Sequence, residues 1–163
     1  MTERSLSDVE YNYKLINERI AEAAEKSGRK REDITFLAAT KTVDADVINY
    51  AISLGLDHIG ENKVQELLSK YEKYDLAHAS LQFIGHLQTN KVKYVIDKVC
   101  LIHSVDSIKL MDEIERQAEK HNLDMDILIQ VNISGEETKS GISKEEVEDL
   151  LKYAGELKHV KVK

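Results

Sequence analysis

Lys41 is the residue whose type and position in this chain could do covalent chemistry. It ends an apolar run, residues 34–41, that has the composition of a buried β-strand. A lysine there would face the carboxyl end of a sheet, where parallel α/β proteins hold their functional residues. An amine among apolar walls loses the hydration that favours its charged form, and a free amine can form a Schiff base with a carbonyl compound. The alternative is a strand-end lysine that reaches into solvent.

Polar side chains also follow the next apolar runs along the chain. Asn62 lies just past the second run, where its amide could donate and accept hydrogen bonds or serve as an ordinary helix N-cap. The third run is followed by a polar segment, residues 86–91, part of which must cap a helix. His103 ends the fourth run, and we expect a hydrogen-bonded core histidine there in preference to a proton carrier.

The loop after the fifth run, residues 134–142, contains Lys139, which could attract a phosphate or a carboxylate or be a solvated loop lysine. The loop superficially resembles a P-loop. Thr138 stands where that motif requires a glycine, so we exclude nucleotide binding of that kind. The six histidines show no paired ligand spacing, and no Cys-x-x-Cys or acidic calcium loop is present, so we expect no metal site.

The elements that must position these residues are βα units, because short apolar runs alternate with helical patterns along the chain. An amphipathic helix over about residues 8–27, closed by Gly28, precedes five complete units. Residues 159–163 look like the opening of a sixth strand. The predicted strands are 34–39, 58–60, 81–84, 99–103 and 126–132. The helices between them are predicted to start at or be capped by Asp44, Lys63, Thr89, Asp106 and Ser143, the last in a capping box with Glu146.

Composition narrows the classes of function. The net charge of −7 argues against a nucleic-acid binder, which would need a broad basic surface. The single cysteine, Cys100, lies in an apolar stretch and is predicted to be a core thiol in a reducing compartment. No run of about 18 apolar residues exists to span a membrane, so a cytoplasmic protein is expected.

Five motifs in one order resemble the pyridoxal phosphate homeostasis protein family. They are Ala39-Thr40-Lys41-Thr42, Gly60-Glu61-Asn62-Lys63-Val64-Gln65-Glu66, Phe83-Ile84-Gly85-His86-Leu87-Gln88-Thr89-Asn90-Lys91, His103-Ser104-Val105-Asp106, and Gln130-Val131-Asn132 with Lys139-Ser140-Gly141. The resemblance implies a TIM-type (β/α)8 barrel of the alanine racemase N-terminal domain kind. Such a barrel takes about 250 residues. We therefore expect residues 1–163 to be a single barrel domain, truncated after about five βα units and part of strand six.

The resemblance also implies the ligand and its contacts. Lys41 would carry pyridoxal 5′-phosphate (PLP) as a Schiff base, Asn62 would lie beside the cofactor ring, and Lys139 matches a further family lysine near the site. Val43 stands where many members have a second lysine, so no role for that lysine is transferred. The family's phosphate-binding residues lie downstream of residue 163. The 163 residues alone are therefore expected to bind the cofactor weakly, and the full-length product to extend beyond them.

The resemblance implies a non-catalytic PLP carrier, with PLP-dependent apo-enzymes as candidate partners. We expect a monomer, and the charge and composition predict neither a nucleic-acid nor a membrane partner. The runner-up is an amino-acid racemase of the alanine racemase type, which would need a second base from a further β-rich domain. An aldolase-like barrel would keep Lys41 as the Schiff-base lysine and drop the cofactor. The last alternative is a protein without a ligand site, in which every strand-end polar residue would cap a helix or face solvent.

Overall fold

A parallel six-stranded sheet organises the computed structural model, which describes residues 5–136 and 140–163. Its spatial order is β1-β2-β3-β4-β5-β6, so each strand pairs with the next one in the chain. Sequential order without a switch point is typical of a barrel wall and not of a doubly wound sheet. The strands are β1 (Leu37–Ala39), β2 (His58–Glu61), β3 (Ser80–Phe83), β4 (Leu101–Val105), β5 (Met125–Ile129) and β6 (Val160–Val162).

Helical segments connect these strands, and all of the connections are α-helical except the one between β3 and β4, which is a 3-10 segment. The leading helix α1 begins after Ser5, whose Oγ accepts a hydrogen bond from the Asp8 N–H at 3.2 Å. Gly28 follows its end with a left-handed φ of +71°, a conformation that glycine adopts without steric cost. The helices are α1 (Leu6–Lys26), α2 (Ala45–Ser53), α3 (Val64–Lys70), α4 (Ile108–His121) and α5 (Val147–Glu156), with 3-10 turns at Arg31–Asp33, Tyr71–Lys73 and Thr89–Tyr94.

Several predicted boundaries are wrong. The first strand begins at Leu37 and not at residue 34, because a 3-10 turn precedes it and the Arg31 guanidinium holds the Ile34 carbonyl at 2.6 Å. The helix predicted over 89–97 is a 3-10 segment, and that over 63–74 breaks into α3 and a second 3-10 turn. The fourth strand starts two residues late, and the fifth ends at Ile129, beyond which Val131 makes only an isolated bridge to Ile142.

Two helix caps also differ from prediction. Ser107, not Asp106, caps α4, its Oγ accepting from the Leu110 N–H at 3.3 Å. Helix α5 begins only at Val147, although the Glu146 carboxylate does accept the Ser143 N–H at 2.9 Å, which is half of the predicted capping box.

The core lies between the helices and the sheet, and consecutive residues are buried in β2 and β3, so both faces of those two strands are covered. On β5, Met125 and Ile127 are buried, while Asp126, Leu128 and Ile129 between and beyond them are half-buried. The prediction that both faces of β5 are covered is therefore wrong for the described residues, because only the helix-facing side is fully packed. Cys100 is exposed, which corrects its prediction as a core thiol, since it precedes β4 and does not lie within it. No described helix has the length and apolar character needed to cross a bilayer.

Candidate functional site

Lys41 lies in the turn that follows β1, at the carboxyl end of the sheet. Its side chain is exposed, and its ammonium makes no hydrogen bond or ion pair with any described residue. The expectation that apolar walls surround this amine is therefore wrong. The physical reason is that β1 is an edge strand, paired only with β2 in the described sheet, so the far side of the turn is open.

Hydrogen bonds hold the backbone of this turn in place, although the Lys41 side chain is exposed. Thr40, directly before the lysine, is 4 % exposed, and its N–H donates to the Gly60 carbonyl at 2.9 Å. Thr42, directly after it, has a left-handed φ of +61°, which costs a β-branched residue about 1–2 kcal/mol. Such a conformation persists only where the surroundings hold it, and it occurs most often at functional sites.

A buried carboxylate lies beneath the turn. Glu61, the last residue of β2, is fully buried, and its Oε1 accepts three hydrogen bonds. The donors are the Thr40 hydroxyl at 2.9 Å, the Lys70 ammonium at 3.0 Å and the Tyr74 hydroxyl at 2.5 Å. A buried charge is tolerable only when it is paired and hydrogen-bonded in this way. Glu61 therefore links β2, the Lys41 turn and the α3 region through one oxygen.

Helix α3 supplies the remaining contacts of the turn. The Lys70 ammonium donates to the Thr40 carbonyl at 3.2 Å and to Glu66 Oε1 at 2.8 Å, in addition to Glu61. An ammonium has three N–H donors, so all of those on Lys70 are used. The same Glu66 oxygen accepts the N–H of Thr42.

Hydrogen bonds and burial shift the pKa values of three side chains in this network. Burial by itself would lower the pKa of Lys70, but its hydrogen bonds to Glu66 and Glu61 outweigh burial and leave that pKa above its usual value. The hydrogen bond from Lys70, aided by the Thr42 N–H, lowers the pKa of Glu66. Burial and the bond to Glu61 raise the pKa of Tyr74 well above its ordinary value, so its hydroxyl stays a donor.

Asn62 ends the second strand region at the same end of the sheet. Ala39 pairs with Gly60, so Lys41 and Asn62 each stand two residues beyond a paired position on neighbouring strands. The buried Oδ1 of Asn62 has no hydrogen-bond partner among the described residues. The cap of α3 is Lys63, which excludes the N-cap interpretation of Asn62. Unused hydrogen-bonding capacity at this place suits a residue that contacts a ligand.

A small cavity of about 180 Å³ opens beside Asn62. His86, Gln88 and Lys91, from the segment that follows β3, contribute to its wall. The approach of the two segments is close, because a Cβ on Gly85 would lie 2.0 Å from the Asn62 carbonyl oxygen. Only glycine fits at residue 85. Larger cavities, of about 350 and 390 Å³, lie beside α1 and the approach to β1.

Three neighbouring strands carry a hydrogen-bonded row of side chains. Gln82 on β3 bridges His58 on β2, at 3.0 Å, and His103 on β4, at 2.7 Å. Gln82 is 5 % exposed, and burial lowers the pKa of His103. His103 is thus a half-buried histidine with a satisfied ring nitrogen, as the sequence predicted.

The third predicted site residue, Lys139, lies outside the described residues. The structure places Lys41 and Asn62 at the ends of neighbouring strands, but Lys41 does not line the cavity beside Asn62. Sequence reasoning missed Glu61, Glu66, Lys70 and Tyr74. A signal for part of this set was present, because Glu66 and Lys70 stand four residues apart in the order that favours a helical ion pair. Within the described residues, no group of three or more His, Cys, Asp or Glu side chains is arranged to hold a metal ion.

Comparison with known proteins identifies the fold of this chain. The family model of the alanine racemase N-terminal domain matches residues 5–163. That match and the sequential parallel sheet define the class as the barrel domain of the alanine racemase kind.

Individual similar proteins identify the family within this class. A pyridoxal phosphate homeostasis protein of Aquifex aeolicus is 48 % identical over 145 residues, which are 89 % of this chain and 64 % of that protein. The Escherichia coli K12 protein of the same description is 32 % identical over 161 residues, 97 % of this chain and 69 % of that protein. The structure of PipY from Synechococcus elongatus with PLP bound superposes with a TM-score of 0.75 at 27 % identity, covering 88 % of this chain and 68 % of PipY.

The chain therefore belongs to the pyridoxal phosphate homeostasis protein family. It spans 64 % of the length of the Aquifex relative, so the activity of the whole protein is inferred below and not transferred.

Proposed function

We propose that this chain binds pyridoxal 5′-phosphate and serves its intracellular homeostasis and carriage, holding the cofactor covalently on Lys41. The observation that carries the proposal is the turn that presents Lys41, because its flanking residues are held by hydrogen bonds to Gly60, Glu66 and Lys70. The amine itself is exposed and makes no bond to a described residue, so an aldehyde can reach it. Family membership supplies the ligand chemistry, since PipY is described with PLP bound.

The described residues fit an aldehyde cofactor. The cofactor supplies an electrophilic aldehyde carbon and a ring whose polar groups need hydrogen-bond partners. Lys41 would hold the cofactor through its amine, whose two protons would leave with the aldehyde oxygen as water, so that no oxidant or reductant would be needed. The unpartnered Oδ1 of Asn62 supports a role for Asn62 as a partner of the ring. Lys139 is proposed as a further contact of the site.

Carriage is favoured over catalysis by the chemistry around Lys41. Turnover of an amino acid would require an acid or base that is free to exchange a proton. Glu61, Glu66, Lys70 and Tyr74, which lie at or beneath the Lys41 turn, are bonded to one another, whereas His86 and Lys91 beside Asn62 stand outside that network. We propose a monomer located in the cytoplasm, with PLP-dependent apo-enzymes as recipients of the cofactor.

Borohydride reduction tests the binding. The purified protein is mixed with PLP, reduced, denatured and freed of unbound cofactor, and its pyridoxyl fluorescence is measured. The wild type should retain fluorescence, and Lys41→Ala should lose most of it. Lys26→Ala is the matched control, because Lys26 is an exposed lysine at the far end of α1 and its loss should change nothing. Equal labelling of wild type and Lys41→Ala would overturn the assignment of Lys41.

Transfer tests the carriage. The PLP-loaded protein is mixed with a PLP-dependent apo-enzyme in the presence of a reagent that traps free aldehyde. Reactivation of the apo-enzyme that exceeds the reactivation by an equal amount of free PLP supports a carrier. Reactivation no better than with free PLP would contradict the carriage while leaving the binding intact.

A further inference from the structure

The structure fixes both peptide units that flank Lys41 by way of one helix. The Thr40 carbonyl belongs to the peptide before Lys41, and it accepts from Lys70 at 3.2 Å. The Thr42 N–H belongs to the peptide after Lys41, and it donates to Glu66. Because these two peptide planes set the backbone dihedrals of Lys41, they also set the direction of its Cα–Cβ bond.

The two side chains that hold these peptide units, Lys70 and Glu66, are themselves held in place. Lys70 and Glu66 stand four residues apart on α3 and are joined at 2.8 Å, with side chains only 14 % and 18 % exposed. Lys70 is anchored further by the fully buried Glu61 at 3.0 Å. An amine that must attack a carbonyl carbon in one orientation gains from such a fixed base.

The backbone conformation of Thr42 also indicates that the Lys41 turn is held in place. A threonine at φ +61° is strained, and the Glu66 carboxylate is the side-chain group that holds its N–H in place. Without that acceptor, the turn could relax to an ordinary conformation and redirect the lysine. Glu72, an exposed carboxylate in the 3-10 turn that follows α3, makes no hydrogen bond with the Lys41 turn among the described residues and provides a comparison.

We propose that Glu66 and Lys70 are positioning residues that aim the Lys41 amine by clamping the backbone on both sides of it. This inference rests on the proposed function, since it assigns a role toward cofactor capture at the same lysine. Neither residue touches the cofactor in this account. They act through the orientation of the turn, so their loss should slow capture in variants that remain folded.

The test measures the rate at which borohydride-reducible PLP appears at Lys41 in the full protein. Glu66→Ala should slow that rate about tenfold or more, because small misplacements of a reacting group carry large penalties. Glu66→Gln keeps an oxygen acceptor for the Thr42 N–H and should stay within about threefold of the wild type. Glu72→Ala removes the same charge and volume from an exposed place and should match the wild type. Lys70→Met should slow capture as Glu66→Ala does, and circular dichroism confirms that each variant is folded.

The outcomes separate the two proposals. If the wild type gives no adduct at Lys41, the proposed function fails, and the positioning role with it. If the wild type is labelled and Glu66→Ala is labelled equally fast, the positioning role alone is overturned. A loss in Glu66→Ala that glutamine does not restore would also overturn it, because the backbone acceptor would not then be the cause. Should Lys70→Met not fold, the three remaining variants decide the matter.

Discussion

The Lys70 ammonium lies 3.0 Å from Oε1 of Glu61, a carboxylate with no solvent exposure at the end of β2. Lys70→Met should lower the free energy of unfolding by about 3 kcal/mol or more, because it leaves a buried charge without its cation. Urea denaturation measures the change. The double variant Glu61→Gln, Lys70→Met should be more stable than Lys70→Met alone, since it no longer buries an unpaired charge.

The exposed pair Lys14–Glu10 on α1 provides the control for this loss. Its atoms are 2.6 Å apart, but the two side chains are 64 % and 39 % exposed. Solvent screening makes such a pair nearly neutral for stability, so Lys14→Met should produce no measurable change. A loss as large as that of Lys70→Met would contradict the view that burial gives the Glu61 pair its importance.

Low pH should weaken the ion pair of Glu66 with Lys70 and its hydrogen bond from the Thr42 N–H. The hydrogen bond from Lys70, with that from the Thr42 N–H, lowers the pKa of Glu66 below its ordinary value of 4.5. A depressed carboxyl pKa contributes stability that is present above the unfolded value and is lost as pH falls through the folded value. The difference in free energy of unfolding between wild type and Glu66→Gln should therefore shrink below about pH 4.5. Urea titrations at pH 6, 4 and 3 measure it, and a difference that stays constant would be inconsistent with the ion pair.

Much of the scaffold could be predicted from sequence, because parallel strands and amphipathic helices follow from hydrophobic period alone. Lys41 and Asn62 were placed at the correct ends of β1 and β2 for that reason. The prediction that apolar walls surround Lys41 is wrong, since an apolar run before a residue does not determine what lies around its side chain, and in the described sheet β1 pairs only with β2.

The contacts that hold the Lys41 turn could not be predicted from hydrophobic period. Glu61 stands in a polar motif, and nothing local shows that it points into the core and not into the loop layer. The left-handed φ of Thr42 runs against the preference of a β-branched residue, so propensity favours the wrong conformation. Both features arise from long-range contacts with α3, which sequence spacing does not determine.

Gly85 should not tolerate a side chain. A Cβ there would lie 2.0 Å from the backbone oxygen of Asn62, and backbone atoms cannot move aside cheaply. Gly85→Ala should cost roughly 1–3 kcal/mol, as overpacking does, and should disturb the segment that carries Asn62. Gly155→Ala in α5 meets no atom within 4 Å and should stabilise the protein by about 0.5–1 kcal/mol. Thermal unfolding compares the two; equal effects would show that the close approach at Gly85 is wrong.

His103 should titrate below its ordinary value of 6.5, because burial disfavours its charged form and lowers its pKa. The contribution of the neutral ring to stability is present above pH 6.5 and is lost as pH falls through the folded pKa. Side-chain NMR of the histidines gives the midpoint, and His103→Asn identifies the signal by its disappearance. A midpoint at or above 6.5 would contradict the burial of the ring against Gln82.

Peptide mass mapping of the borohydride-reduced PLP adduct tests the central claim most directly, because it identifies the modified nitrogen and the ligand together. The account predicts one dominant pyridoxyl-lysine, in the peptide that contains Lys41. A dominant adduct on Lys139 or on another lysine, or no adduct at all, would contradict it.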